Sequence, residues 1–208
     1  MTRTEHLTVT KAWINRQQND PYVRRAREEG FRARAAYKLL ELDEKDRLLA
    51  GARVVVDLGA APGSWCQVAH RVLADQGRVI ALDVLPMDDL AGVTFIQGDF
   101  REQDVLERLE AEMQGQRADL VLSDMAPNLS GIGASDQARS VDLAELALAF
   151  ACDWLKPSGA CAVKVFQGAG FEELLKAFRA AFKTVKVRKP QASRAESREV
   201  YLVARGLS

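Results

Sequence analysis

The sequence predicts a doubly wound α/β fold, and three observations predict it. Short apolar, β-branched runs alternate with helical patterns from residue 53 onward. The first run opens into a glycine-rich turn, as where a parallel sheet presents its carboxyl edge to a ligand. Carboxylates then stand at the ends of successive runs: Asp57, Asp83 and Asp99.

Arg53-Val54-Val55-Val56-Asp57-Leu58 is continuous and apolar, as expected for a strand covered on both faces. A turn holding Gly59, Pro62 and Gly63 follows, then a helix over about 64–74. Arg78-Val79-Ile80-Ala81-Leu82-Asp83 reads as the second strand and Val93-Thr94-Phe95-Ile96-Gln97 as the third. Ala118-Asp119-Leu120-Val121-Leu122-Ser123-Asp124 is the fourth. Beyond a Gly/Ser-rich loop a helix is expected over about 136–154. The strand Ala160-Cys161-Ala162-Val163-Lys164-Val165-Phe166 and a helix near 171–181 come next. Phe182 to Val187 and Val200 to Ala204 have no helix between them, so they predict an antiparallel pair at the sheet edge. Residues 1–50 are charged, favour helix and lie outside the alternation. They are expected to extend a single unit whose main domain covers 51–208.

Composition narrows the function. A hydrophobic content of 48% supports a sizeable core, and no apolar run approaches a membrane span. The polar N-terminus lacks a signal peptide's apolar stretch. Three widely spaced cysteines suit reduced thiols in a cytoplasmic protein better than a disulfide framework or a zinc site. Two histidines leave little material for a metal centre or a Ser-His-Asp triad. Net charge is zero, yet residues 1–40 carry +5, residues 176–208 carry +7 and the middle −12. Basic ends on a neutral chain can hold a polyanion locally, or can simply be solvated faces.

The turn after the first strand lacks the Gly-x-Gly-x-x-Gly spacing that sets a pyrophosphate on a helix N-terminus, and Pro62 removes a backbone donor. Asp83 can accept both hydroxyls of a ribose, although dinucleotide dehydrogenases place an acid there too. Asp99 can meet an adenine amino group or cap a helix. Together they favour a nucleoside without phosphates, which S-adenosylmethionine satisfies.

Five motifs in order then resemble the FtsJ/RrmJ family of RNA 2′-O-methyltransferases. They are Asp57-Leu58-Gly59-Ala60-Ala61-Pro62-Gly63-Ser64-Trp65; Ser123-Asp124-Met125-Ala126-Pro127-Asn128 with Leu129-Ser130-Gly131; Val163-Lys164-Val165-Phe166-Gln167-Gly168; Val185-Lys186-Val187-Arg188-Lys189-Pro190; and Ser197-Arg198-Glu199-Val200-Tyr201. The resemblance runs from about Trp13 to Ala204, and the Ser-Asp-Met-Ala-Pro-Asn form is similar to the bacterial branch that methylates a uridine of large-subunit ribosomal RNA. One departure is Ser64, where bacterial members often carry glycine. The resemblance implies a Rossmann-like methyltransferase fold with a mostly parallel seven-stranded sheet, an antiparallel edge strand and helices on both faces. It implies a catalytic set of Lys38, Asp124, Lys164 and Glu199. For cofactor contacts it implies Gly59, Gly63, Trp65, Asp83, Asp99 and Asp124, with S-adenosylmethionine as cofactor and no metal.

The chemistry suits these residues. Displacement at a sulfonium methyl needs the ribose hydroxyl positioned and relieved of its proton. Lys164 interrupts an apolar strand, where a charged amine is costly, so it is either a snorkelling lysine or a buried base. Lys38 is expected to stabilise developing alkoxide charge, with Asp124 fixing Lys164 and Glu199 either balancing the second lysine or orienting the ribose. Glu199 and Tyr201 face the same way, so Tyr201 is expected either to flank the target nucleotide or to pack on the sheet. Arg24, Arg25, Arg32 and Arg34 lead in sequence to Lys38, and Lys186, Arg188, Lys189 and Arg194 lead to Glu199. These eight are expected to hold ribosomal RNA, within the large subunit and with the protein as a monomer, through salt-dependent phosphate contacts. A dinucleotide dehydrogenase, a methyltransferase for other substrates and a non-catalytic RNA-binding module are the competing readings.

Overall fold

The computed structural model describes residues 20–127 and 133–208. Trp13, the first nineteen residues' share of the basic N-terminus, and Asn128, Leu129, Ser130 and Gly131 of the second motif lie outside the described residues.

Helix α1 spans Pro21–Glu28, its first turn capped by the Asp20 carboxylate on the Tyr22 N–H at 3.0 Å, with Pro21 where a helix loses nothing by lacking a donor. Helix α2 spans Ala36–Asp46. The alternation follows: β1 Val54–Leu58, α3 Ser64–Leu73, a 3₁₀ turn Ala74–Gln76, β2 Arg78–Asp83, β3 Val93–Gln97, α4 Gln103–Met113 and β4 Ala118–Ser123. Then come α5 Gly133–Trp154, β5 Leu155–Phe166, α6 Phe171–Ala181, β6 Phe182–Arg188 and β7 Glu199–Leu207.

The seven strands lie in the order β3-β2-β1-β4-β5-β7-β6. All neighbours are parallel except β7, which runs antiparallel between β5 and β6. The expected antiparallel pair is thus present, with β7 the reversed member and β6 the outer strand. Strand β5 begins five residues before the apolar run read from sequence, because Leu155 pairs with Ala118 ahead of a register irregularity.

Side chains alternate between two cores. Val54, Val56, Leu58, Ile80, Leu82, Val121, Val163 and Leu202 face one side with α4, α5 and α6. Val55, Val79, Ala81, Leu120, Leu122, Ala162 and Tyr201 face the other, where Leu39, Leu42, Leu48 and Leu49 pack beside α3. The segment from Ala26 to Leu49 therefore shares a core with the sheet and closes one face of it.

Strand order reverses between β1 and β4, so the loops leaving these two strands open a crevice at the carboxyl edge. Because β7 is reversed, its first residue, Glu199, sits at that same edge opposite Phe166.

Candidate active site

The loop leaving β1 spends its own donors. The N–H groups of Gly59 and Ala60 go to the Leu82 carbonyl at 2.8 and 3.1 Å, that of Ala61 to Asp83 Oδ2 at 2.8 Å, and that of Gly63 to the Ala60 carbonyl at 2.6 Å. Pro62 has none. No backbone donor of the loop remains to cradle a phosphate, in line with the spacing of its glycines.

Beside the loop lies a cavity of about 530 Å³, within the ordinary range for a cofactor site. Its walls combine Leu82, Val84, Leu85, Phe100, Met125, Pro127, Leu143 and Leu146 with three carboxylates, Asp83, Asp99 and Asp124. Gly59 lines it in a left-handed conformation (φ +73°), and a Cβ there would stand 2.3 Å from Met125 Cγ. Asp83 uses one oxygen on Ala61 N–H and the other on Leu85 N–H at 2.9 Å. Asp99 accepts the Arg101 N–H at 3.0 Å and its guanidinium Nε at 2.9 Å, which holds its carboxyl below the usual carboxylate range.

Four elements bring the four expected catalytic side chains together. Lys164 on β5 lies directly opposite Tyr201 on β7, and Glu199 is two residues away on the same face. Lys38 comes from α2, which covers that face. Asp124 emerges from β4, one strand over. Lys164 Nζ donates to the Asp124 backbone carbonyl and stands 3.1 Å from its Oδ1. Lys38 Nζ is 2.8 Å from Glu199 Oε1 and 3.8 Å from Asp124 Oδ1. Lys164 is only 8% exposed, so both its contacts are made away from bulk water, where they are strongest.

Tyr201 is fully buried and donates its hydroxyl to Asp124 Oδ1 at 2.5 Å. It therefore does not flank a nucleotide. It packs on the sheet and holds the carboxylate, with its own hydroxyl pushed well above the ordinary tyrosine range by burial and by the nearby charges of Asp124 and Glu199.

Trp65, Gly63 and Asp57 make contacts of their own around the β1 loop. Trp65 Nε1 donates to the Ala35 carbonyl at 2.8 Å, and its ring lies 5.7 Å from that of Tyr201, bracing the start of α2 against β7. Gly63 begins α3 at φ +100°, and a Cβ there would meet Arg32 Nη1 at 2.9 Å and Met87 Sδ at 2.8 Å. Asp57 is buried within β1 beside Cys66 Sγ at 3.1 Å, away from the cavity wall.

Several basic residues expected on RNA are engaged within the protein. Arg32 donates to the carbonyls of Pro62, Asp88 and Asp89 at 2.7–2.9 Å, tying the β1 loop to the loop after β2. Arg34 pairs with Asp20 and the Ala192 carbonyl, Arg25 with Glu29, and Lys186 and Arg188 with Asp46. Lys189 donates to the Ser197 carbonyl at 2.8 Å. Among the described residues, Arg24 and Arg194 are the two of the eight whose side chains make no such bond. Sequence reading missed Arg32's bracing role because nothing local to Arg32 marks two carbonyl-rich loops more than twenty-five residues away.

Comparison with known proteins then adds to the geometry. A family model described as FtsJ-like methyltransferase matches residues 31–207. The chain is 61% identical over 195 residues to the ribosomal RNA large subunit methyltransferase E of Azoarcus sp. (strain BH72), covering 94% of this chain and 95% of that one. It is 55% identical over 203 residues to the protein of that name from Bordetella pertussis, covering 95% and 97%. A crystal structure described as a ribosomal RNA methyltransferase of Plasmodium falciparum superposes with a TM-score of 0.77 at 31% identity, covering 85% of this chain and 98% of that one.

Proposed function

The chain belongs to the FtsJ-like methyltransferase family, and we propose that it transfers the methyl group of S-adenosylmethionine to the 2′-oxygen of a uridine ribose in large-subunit ribosomal RNA. One observation supports this reading above the others. Asp124 is at once part of the cavity wall and the anchor of Lys164, so methyl donor and proton acceptor meet at one residue.

The residues present fit the cofactor. The cavity offers apolar walls for a purine, carboxylates for hydroxyl and amino groups, and no free backbone donors from the β1 loop for a phosphate. Asp83 would take the ribose hydroxyls and Asp99 the adenine amino edge, in competition with Arg101. Gly59 would let the backbone approach closely. When bound, S-adenosylmethionine supplies a methyl on a sulfonium, a carbon already activated for displacement.

The chain's own groups do the rest. As a neutral amine, Lys164 has two N–H bonds, and the Asp124 carbonyl and Oδ1 supply acceptors for both. Its lone pair is left for the proton of the 2′-hydroxyl. Lys38, held by Glu199, places positive charge where the alkoxide develops. Tyr201 and the two lysines fix the Asp124 carboxylate, so the site is organised before substrate arrives. We place the reaction in the cytoplasm, on the large subunit late in its assembly, with the protein acting as a monomer.

The test is to incubate the protein and S-adenosylmethionine with large subunits, and with naked ribosomal RNA, from cells lacking the modification. The expected product is one alkali-resistant linkage 3′ to a uridine, formed on the subunit. A methyl on a base, or no transfer to ribosomal RNA, would overturn the reading.

A further inference from the structure

A second hollow, about 390 Å³, opens between the start of α1 and the loop joining β6 to β7. Tyr22, Arg34, Gln191, Ser193, Arg194 and Glu196 line it. We propose that it is a second nucleotide subsite, receiving an unstacked base of the same RNA strand close to the target ribose. This rests on the ribose methyltransferase reading above.

Four observations carry it. The first is place. Glu196 at the rim precedes Glu199 of the catalytic cluster by three residues, so their Cα atoms are at most about 11 Å apart. A strand stacked at about 3.4 Å per nucleotide covers that span in about three steps, and an unstacked strand in fewer. The second is chemistry. Single-stranded RNA is recognised through bases laid against aromatic rings or guanidinium planes, with their edges hydrogen-bonded. Tyr22 and Arg34 are planar groups, and Gln191, Ser193 and Glu196 offer both donors and acceptors.

The third is incompleteness. Ser193 is 6% exposed, yet its Oγ has no hydrogen-bond partner, and neither has Arg34 Nε. Buried polar atoms are rarely left unmatched, and two around one hollow mark a place where a polar ligand completes the structure. The fourth is charge. Arg34 is held by Asp20 and the Ala192 carbonyl, so it is a fixed surface and not a mobile counter-ion. Arg194 on the rim and Arg24 on α1 carry no internal partner among the described residues and remain for flanking phosphates. The balance of acids and bases in the hollow argues for a base inside it and phosphates outside.

The test uses the full-length protein and large subunits lacking the modification. Ala195 is exposed and lines the hollow, so Ala195→Trp plugs it without opening the core; Arg194→Ala removes the rim cation. Both are expected to raise KM for the subunit about ten-fold. The kcat, the S-adenosylmethionine affinity and the melting temperature should stay as in the wild type. Zero-length photo-crosslinking with 4-thiouridine-substituted ribosomal RNA should join segment 190–196 or Tyr22 to a nucleotide within three of the methylated one. Unchanged KM in both variants, or crosslinks to this segment only from distant nucleotides, would overturn the subsite. A wild-type protein that fails to methylate ribosomal RNA would instead overturn the underlying reading.

Discussion

At the scale of single residues, Asp124 concentrates the most consequence. Its carboxylate receives the Tyr201 hydroxyl and faces two lysines, while the same residue lines the cavity beside the β1 loop. Replacing Tyr201 by phenylalanine removes one charge-assisted hydrogen bond, worth about 1.5–3 kcal/mol where it is well formed. Tyr201→Phe is expected to lower kcat at least about ten-fold with KM for RNA little changed, read by steady-state kinetics. A larger effect on KM than on kcat would return Tyr201 to substrate binding. Gly59→Ala should weaken S-adenosylmethionine binding by about ten-fold or more, because φ of +73° and the contact with Met125 both oppose a side chain. Isothermal titration would read it. The sequence made Asp124, Lys164 and Glu199 legible through their motifs, and Lys38 through the family resemblance. It could not distinguish a tyrosine facing RNA from one buried against an aspartate, since alternation fixes a face and not what covers it.

At the scale of elements, Arg32 shows how a residue's role depends on what the chain brings near it. Read in sequence it belongs to a basic cluster; folded, it ties the loop after β1 to the loop after β2, each of which gives other residues to the cavity wall. Gly63, at φ +100°, holds a conformation that side chains oppose, and Arg32 Nη1 passes 2.9 Å from where its Cβ would stand. Arg32→Ala is therefore expected to raise the Kd for S-adenosylmethionine several-fold, while the salt dependence of RNA binding stays within about one ion of the wild-type slope. A reduced slope with unchanged cofactor affinity would assign it to RNA after all. Helix α4 is hard to read from sequence, although Val105, Leu109 and Met113 recur every four residues and are all buried. Its polar flanks and the absence of a side-chain cap obscured the stripe. The strands were plainer because a parallel strand covered on both faces is a continuous apolar run. The start of β5 was hidden by Pro157 and Gly159, which accompany its irregular register.

At the scale of the whole molecule, the two-sided sheet explains both a strength and a cost. Strand β1 lies inside the sheet between β2 and β4 with every residue buried, including Asp57, whose carboxyl burial pushes up to about 7. In the unfolded chain it titrates near its ordinary value of 3.8. Between those two pH values the unfolded chain has released a proton that the folded chain keeps. This group's contribution to stability therefore falls as pH rises from about 4 to 7 and is level above, by an amount on the order of 4 kcal/mol. Asp57→Asn keeps an acceptor for Cys66 without that titration. Its melting temperature, relative to the wild type, is expected to rise by several degrees between pH 5 and pH 7.5. A constant difference across that range would contradict the assignment.

Among the described residues, part of the basic charge near Lys38 and Glu199 is neutralised within the fold, Arg34 by Asp20 and Lys186 and Arg188 by Asp46. What joins Lys38 and Glu199 to the cavity beside the β1 loop is Asp124, which contacts both Lys38 and Lys164. The most direct test is single-turnover methyl transfer to large subunits by Lys164→Ala, beside equilibrium binding of S-adenosylmethionine to the same variant. The expected result is a loss of about 10²–10⁴-fold in the transfer rate with cofactor affinity kept within about three-fold. Transfer at the wild-type rate would contradict Lys164 as the proton acceptor, and a comparable collapse of cofactor binding would show that it builds the cavity instead.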